Sequence, residues 1–117
     1  MMTILTVDPE LNDLKALTQS LSRLYPEDEV VSFSDPLMAL QYAEHQPIDV
    51  LNAAADMKRL AGTVLAQRLR EKQPLLRVFL VAADEAYRLD ALQIKADGYL
   101  IKPISVSDIM QEEMNQR

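Results

Sequence analysis

At 117 residues, with 49% apolar side chains and a net charge of −6, the chain is long enough to bury one core and too short for two ordinary domains. It has no cysteine, which excludes a disulfide framework, a thiolate zinc site and a cysteine nucleophile, and its two glycines, Gly62 and Gly98, cannot build a glycine-rich phosphate loop. The negative balance repels a phosphate backbone, so no direct nucleic-acid contact is expected of this segment, and no apolar run approaches the ~20 residues that cross a bilayer.

Met1-Met2-Thr3-Ile4-Leu5 lacks the basic flank of a signal peptide, and a cytoplasmic setting without membrane contact is expected. Met2 to Val7 is a β-rich apolar run. Asp8-Pro9-Glu10 then supplies an N-cap, a proline at the first helical position and an early acid. Leu11, Leu14, Leu17, Leu21 and Leu24 recur at helical steps, which predicts a helix that buries one leucine stripe and stops before Pro26. Glu29 to Ser34 reads as a second strand. Asp35-Pro36 repeats the cap-plus-proline device and opens a helix to about His45, which Pro47 breaks; Ile48 to Ala54 is the third strand.

A third helix runs from about Gly62 to Lys72 with Val64, Leu65 and Leu69 inward, and Pro74 ends it. The most hydrophobic run, Leu75 to Ala83, is expected as a central strand covered on both faces. Asp84 to Ile94 is a fourth helix, Tyr99 to Lys102 a fifth strand, and Ser105-Val106-Ser107-Asp108 a capping-box-like start to the last helix. Parallel strands need right-handed helical crossovers, so this alternation implies an α/β fold: an open five-stranded parallel sheet with helices on both faces. The working site of such a sheet lies outside the carboxyl ends of its strands. Those ends are Val7-Asp8, Ala53-Ala54, Val81-Ala82 and Ile101-Lys102.

Charge is segregated along the chain. Residues 1–56 carry mostly Asp and Glu, whereas Lys58, Arg59, Arg68, Arg70, Lys72 and Arg77 cluster with few acids among them. The cluster reads as a solvated helix face, with a docking surface for an acidic partner as the second reading. His45, the only histidine, is expected at the surface, and Asp49 at a strand start without chemistry.

Val7-Asp8-Pro9-Glu10, Pro47-Ile48-Asp49-Val50-Leu51, Gly62 and the stretch Ala96 to Pro103 follow one another in an order that resembles the receiver domain of bacterial response regulators. The likeness covers essentially residues 1–117 and implies the CheY-like or flavodoxin-like (βα)5 three-layer sandwich. The segment Tyr87 to Pro103 looks like receivers joined to LytTR or other DNA-binding output domains, so the chain is expected to be a receiver-like domain forming the front part of a longer regulator.

The resemblance also implies a phosphorylation site, and here the pattern breaks. Family members use two acids after the first strand and an aspartate ending the third to hold Mg²⁺, a hard cation that wants oxygen ligands. In this chain the first acid is Asp8, but the second is Pro9, the acceptor position counted back from Gly62 is Ala54, and the switch hydroxyl is replaced at Ala82. A methyl group has no lone pair to attack phosphorus. The expectation is a degenerate pseudo-receiver, not an enzyme, with no cofactor and with Mg²⁺ binding weak or lost; Asp8 and Asp56 are the weak metal candidates. A register slip making Asp56 the acceptor stays open as an alternative.

Lys102 matches the family lysine that pairs with the acceptor carboxylate. Without that carboxylate it is expected to pair with Asp8 or Asp56 or to turn to water, because an unpaired buried ammonium is costly. Tyr99 matches the family's mobile aromatic and is expected to hold one rotamer, its plainer reading being a half-buried strand residue. The resemblance implies a homodimer through the fourth helix, fifth strand and fifth helix, around Ala86, Leu89, Asp90, Leu100, Pro103 and Ile104. A histidine kinase or an output domain is the other expected partner. The alternative function is a stand-alone binding module that engages a kinase or other signalling partner.

Overall fold

A computed structural model describes residues 1–115. The strands are β1 (Thr3–Val7), β2 (Glu29–Phe33), β3 (Val50–Ala54), β4 (Arg77–Ala82) and β5 (Gly98–Ile101), and they alternate with α1 (Leu11–Leu24), α2 (Pro36–Ala43), α3 (Gly62–Lys72), α4 (Arg88–Gln93) and α5 (Val106–Met114). All strand pairs are parallel, in the order β2-β1-β3-β4-β5, which is the CheY-like flavodoxin fold. β3 is the middle strand. The apolar run forms β4, an interior strand buried on both faces as expected; Leu75, ahead of it, is 93% exposed.

Side-chain alternation divides the core in two. Leu5, Val7, Leu51, Ala53 and Val78 face Ala39 and Ala43 of α2 and Leu65, Ala66 and Leu69 of α3. Ile4, Val50, Phe79, Val81 and Leu100 point the other way, onto Leu17 and Leu21 of α1 and Ile109 of α5. Because strand side chains alternate in direction, both sets arise from single runs of sequence. Leu80, Ala82 and Tyr99 meet Ala91 of α4 in a third, smaller cluster.

The two Asp-Pro devices behave differently. At Asp35-Pro36 the carboxylate accepts from the Leu37 N–H at 2.9 Å and Pro36 occupies the first turn of α2, as expected. At Asp8-Pro9 the helix does not begin. Asp8 follows β1 and its Oδ1 accepts from the Glu10 N–H at 2.9 Å, a turn that spends the carboxylate before the helix starts, so α1 opens at Leu11 with Glu10 as an N-cap without a side-chain bond. Leu11 is consequently outside the stripe and 66% exposed, while Leu14, Leu17 and Leu21 are buried. In α3 the inward set is Leu65, Ala66 and Leu69, with Val64 only half-buried. The expected fourth helix begins as a 3₁₀ turn over Glu85–Tyr87, capped by Asp84, before α4 proper. The capping box of Ser105 and Asp108 is present at the start of α5.

Two side chains tie elements that are remote in sequence. Gln73 accepts from the Ile48 N–H at 2.6 Å and donates to the carbonyls of Ala43 and Gln46, fixing the end of α2 to the end of α3. Arg70 of α3 donates to the carbonyls of Leu76, Ile94 and Lys95 and pairs with Asp97 at 3.1 Å. It thereby satisfies the carbonyls that the end of α4 leaves open.

Candidate functional site

The register aligns the strand ends. Val7 lies beside Ala53, Ala54 beside Val81, and Ala82 beside Ile101, so Asp8, Ala54, Ala82 and Lys102 come to one rim. A cleft of about 540 Å³ opens over them and is also bordered by Pro9, Asp13, Asp56, Asp84 and Tyr87. The glycine at the onset of α3 is required by close approach: a Cβ on Gly62 would lie 2.2 Å from the carbonyl oxygen of Ala54.

Asp8 is 3% exposed. Its Oδ2 stands 2.7 Å from Lys102 Nζ, and the same ammonium lies 2.9 Å from Asp13 Oδ2. Lys102 thus bridges the end of β1 and the first turn of α1 from the end of β5, its peptide bond to Pro103 being cis. Burial alone lowers a lysine pKa; the hydrogen bonds that Lys102 donates to Asp8 and Asp13 outweigh that and hold its ammonium above its ordinary value. Of the partners expected for Lys102, Asp8 is one. Asp56 is not: it is exposed beyond the end of β3, and its carboxylate faces the Tyr87 hydroxyl, whose pKa is raised by desolvation and then by Asp56.

Ala54 and Ala82 present buried methyl groups to the rim. The donor set does not suit a divalent cation, which needs several oxygens free to converge. Both Asp8 oxygens are committed, to Lys102 and to the Glu10 N–H; Pro9 and Ala54 offer no side-chain oxygen. Among the described residues no group of three or more histidines or acids is placed to hold a metal ion.

Tyr99 is buried, more deeply than a half-buried strand residue, and both functions of its hydroxyl are used. The O–H donates to the Asp84 carbonyl at 2.7 Å and accepts from the Tyr87 N–H at 3.1 Å. The Arg88 guanidinium lies 4.7 Å from the centre of its ring. This anchors the 3₁₀ turn to β5.

On the face formed by α4, β5 and α5, Ala86, Leu89 and Pro103 are exposed and Asp90 is half-buried. Leu100 corrects the expectation: it is 2% exposed and points into the core against α1 and α5, because its neighbours Tyr99 and Ile101 take the other face of β5. Ile104 packs against that same core. Leu92, exposed one turn after Leu89, is a residue of this face that the sequence reading missed.

Asp13 was also missed, although a signal existed: it stands four residues before Leu17, on the flank of the buried stripe and in the turn that follows the first strand. The basic cluster does not form one surface. Arg59 pairs with Asp35, Arg70 with Asp97 and Arg77 with Glu113, leaving Lys58, Arg68 and Lys72 exposed. His45 and Asp49 are exposed, and Asp49 accepts from the Thr3 N–H at 2.8 Å. No helix among the described residues is long and apolar enough to cross a membrane.

Residues 4–112 match the family described as response regulator receiver domain. The chain is 38% identical over 79 residues to stress response regulator protein 1 of Meyerozyma guilliermondii, covering 67% of this chain and 36% of that protein. It is 31% identical over 108 residues to the cyclic di-GMP phosphodiesterase response regulator RpfG of Xanthomonas campestris, covering 88% of this chain and 28% of that one. The chain therefore spans well under half the length of these curated relatives. In three dimensions it resembles the chemotaxis protein CheY4 of Vibrio cholerae, with a TM-score of 0.85 at 17% identity over 100% of this chain and 99% of that one. It likewise resembles the response regulator TrrA of Thermotoga maritima solved with Mg²⁺ and BeF, with a TM-score of 0.84 at 23% identity over the whole of both chains.

Proposed function

The chain belongs to the response regulator receiver domain family, and from that membership we propose that it works as a phosphorylation-independent receiver, a regulatory or dimerisation module within a two-component signalling or transcription protein. One observation carries the proposal: the residue at the rim where an acceptor carboxylate would stand is Ala54, whose methyl cannot attack phosphorus. The rest of the rim supports it. Lys102, which would neutralise a transferred phosphoryl group, is bonded to Asp8 and Asp13, so an incoming anion has to compete with two carboxylates for one ammonium. Tyr99 is held inward by two hydrogen bonds that need no phosphate.

In this reading the module acts by assembly. The exposed Ala86, Leu89, Leu92 and Pro103 supply the apolar part of a homodimer surface, with Asp90 at its edge. A histidine kinase or an output module carried by the rest of a longer regulator is the other proposed partner. The share of the curated relatives that this chain covers, 36% and 28%, is in keeping with that arrangement.

Incubation with acetyl phosphate and Mg²⁺ followed by intact mass measurement tests the chemistry, and sedimentation with and without the donor tests the assembly. The expected result is an unmodified mass and an unchanged association state. A phosphoryl adduct overturns the proposal, and its mapping to Asp56 would favour a competent receiver using that residue.

A further inference from the structure

On the face of the sheet that carries α1 and α5, one rung inside the strands is polar. Ser32, Thr6 and Asn52 lie side by side across β2, β1 and β3, with Phe79 next in line on β4. Thr6 and Ser32 satisfy each other at 2.8 Å, and Thr18 of α1 closes the group. Asn52 does not share in it. It is 3% exposed, and its Nδ2 is buried without a hydrogen-bond partner. Buried amide groups are paired as a rule, so an orphan donor in the middle of a central strand calls for a partner from outside the chain.

The space beside it says what kind. Asn52 lines a small cavity of about 10 Å³, room for one water-sized body, walled by Ile4, Leu21, Val50, Phe79, Leu100 and Ile109. A single water needs two to four polar partners. Among the described residues the other polar side chains on this cavity are Tyr25 and Glu113, which lie close enough to interact, and Glu113 also holds Arg77 at 3.1 Å. Met2, Tyr25 and Glu113 are shared with an outer groove of about 420 Å³, which Met110 and Met114 also line. Methionine side chains are unbranched and repack at little cost, so the wall between groove and cavity is deformable.

We propose that this cavity and groove form a binding site for a small neutral molecule with a carbonyl oxygen at one end and a short aliphatic body. The oxygen accepts from Asn52 Nδ2, and the body lies between α1 and α5 under Met2, Met110 and Met114. Its outer groove, at Met2 and Arg77, opens at the opposite end of the strands from Asp8 and Lys102, and the site does not depend on the fate of the phosphorylation rim. A charged ligand is disfavoured, since the one charged side chain on the inner wall, Glu113, is already paired with Arg77 and the rest of the wall is largely apolar.

The test is titration of the isotope-labelled chain with 2-hexanone, using n-hexane as a control of similar shape without the acceptor. The Asn52 side-chain amide and the methyls of Met2, Met110 and Met114 are followed by NMR. Saturable shifts with 2-hexanone, and binding of n-hexane about tenfold weaker, are expected. Asn52→Leu removes the orphan without emptying the core, so it is expected to fold and to lose the preference for the ketone. Absence of a saturable shift at Asn52, equal binding of the two probes, or retention of the preference in N52L overturns the proposal. A crystal structure in which a lone water stays on Asn52 Nδ2 in the presence of 2-hexanone does the same.

Discussion

Replacing Lys102 by methionine keeps the length of the side chain and removes its charge. The structure sets the cost. Asp8 is 3% exposed and Lys102 Nζ, at 2.7 Å, is its countercharge. Breaking a buried pair from one side costs roughly 3–5 kcal/mol, because the remaining charge is left in a poorly polarisable surrounding. Two features reduce the figure here: Asp8 keeps its bond from the Glu10 N–H, and the lysine is about one-fifth exposed, so water reaches the pair. Asp13, at 41% exposure, is close to solvent and adds at most ~1 kcal/mol. The expected loss is therefore about 2–3 kcal/mol, or a fall in Tm on the order of 10 °C for a domain of this size. Urea unfolding followed by circular dichroism measures it, and a double-mutant cycle with Asp8→Asn isolates the pair. Asp8→Asn in the Lys102→Met background is expected to recover most of the loss, giving a coupling of ~1.5–3 kcal/mol. A single-mutant loss under ~0.5 kcal/mol, with no coupling, would refute the account of the rim as a permanently paired site.

Restoring the acceptor by Ala54→Asp is expected to leave the intact mass unchanged after acetyl phosphate and Mg²⁺, since Pro9 still supplies no ligand and Lys102 is still held by two acids. The same variant is expected to be less stable by ~1–3 kcal/mol in urea unfolding, through a second carboxylate buried at the rim. Tyr99→Phe removes one bond to the Asp84 carbonyl and one from the Tyr87 N–H; a cost of ~1–2 kcal/mol and faster hydrogen exchange at the Tyr87 amide are expected. Stability is expected to fall in alkali. Tyr25, raised to about 12 by burial and then by Glu113, resists ionisation in the folded state while the unfolded side chain ionises near pH ~10. Its contribution is complete below that lower value and disappears as pH rises through the upper one, and Lys102, also raised, acts in the same direction. Urea midpoints measured across that interval check the sign, and Tyr25→Phe should flatten the slope.

The alternation of elements was legible because each strand and helix carries its own period and its own punctuation, as Asp35-Pro36 and Ser105 to Asp108 illustrate. The positions of Asp8, Ala54, Ala82 and Lys102 on one rim followed from strand ends alone, since parallel register carries consecutive ends to the same side. Misjudged positions were those where a residue has two possible employers. Asp8 has the sequence of a helix cap, yet its burial beside Lys102 and its turn to Glu10 take it away from the helix. Leu100 was placed at the surface by the resemblance, but the face it takes is decided by Tyr99 beside it, whose hydroxyl is claimed by the 3₁₀ turn. Asn52 was passed over within the third strand; whether it has a partner depends on elements brought together only by folding.

Arg70 and Tyr99 between them pin the segment that joins β4 to β5 at both of its ends, one through the carbonyls that close α4 and the other through the turn that opens it. The outward side chains of that segment, Leu89 and Leu92, take no part in either anchorage. Framework and display are thereby uncoupled. Partner choice is free to drift by exchange of those outward residues while the bracket that presents them keeps its place.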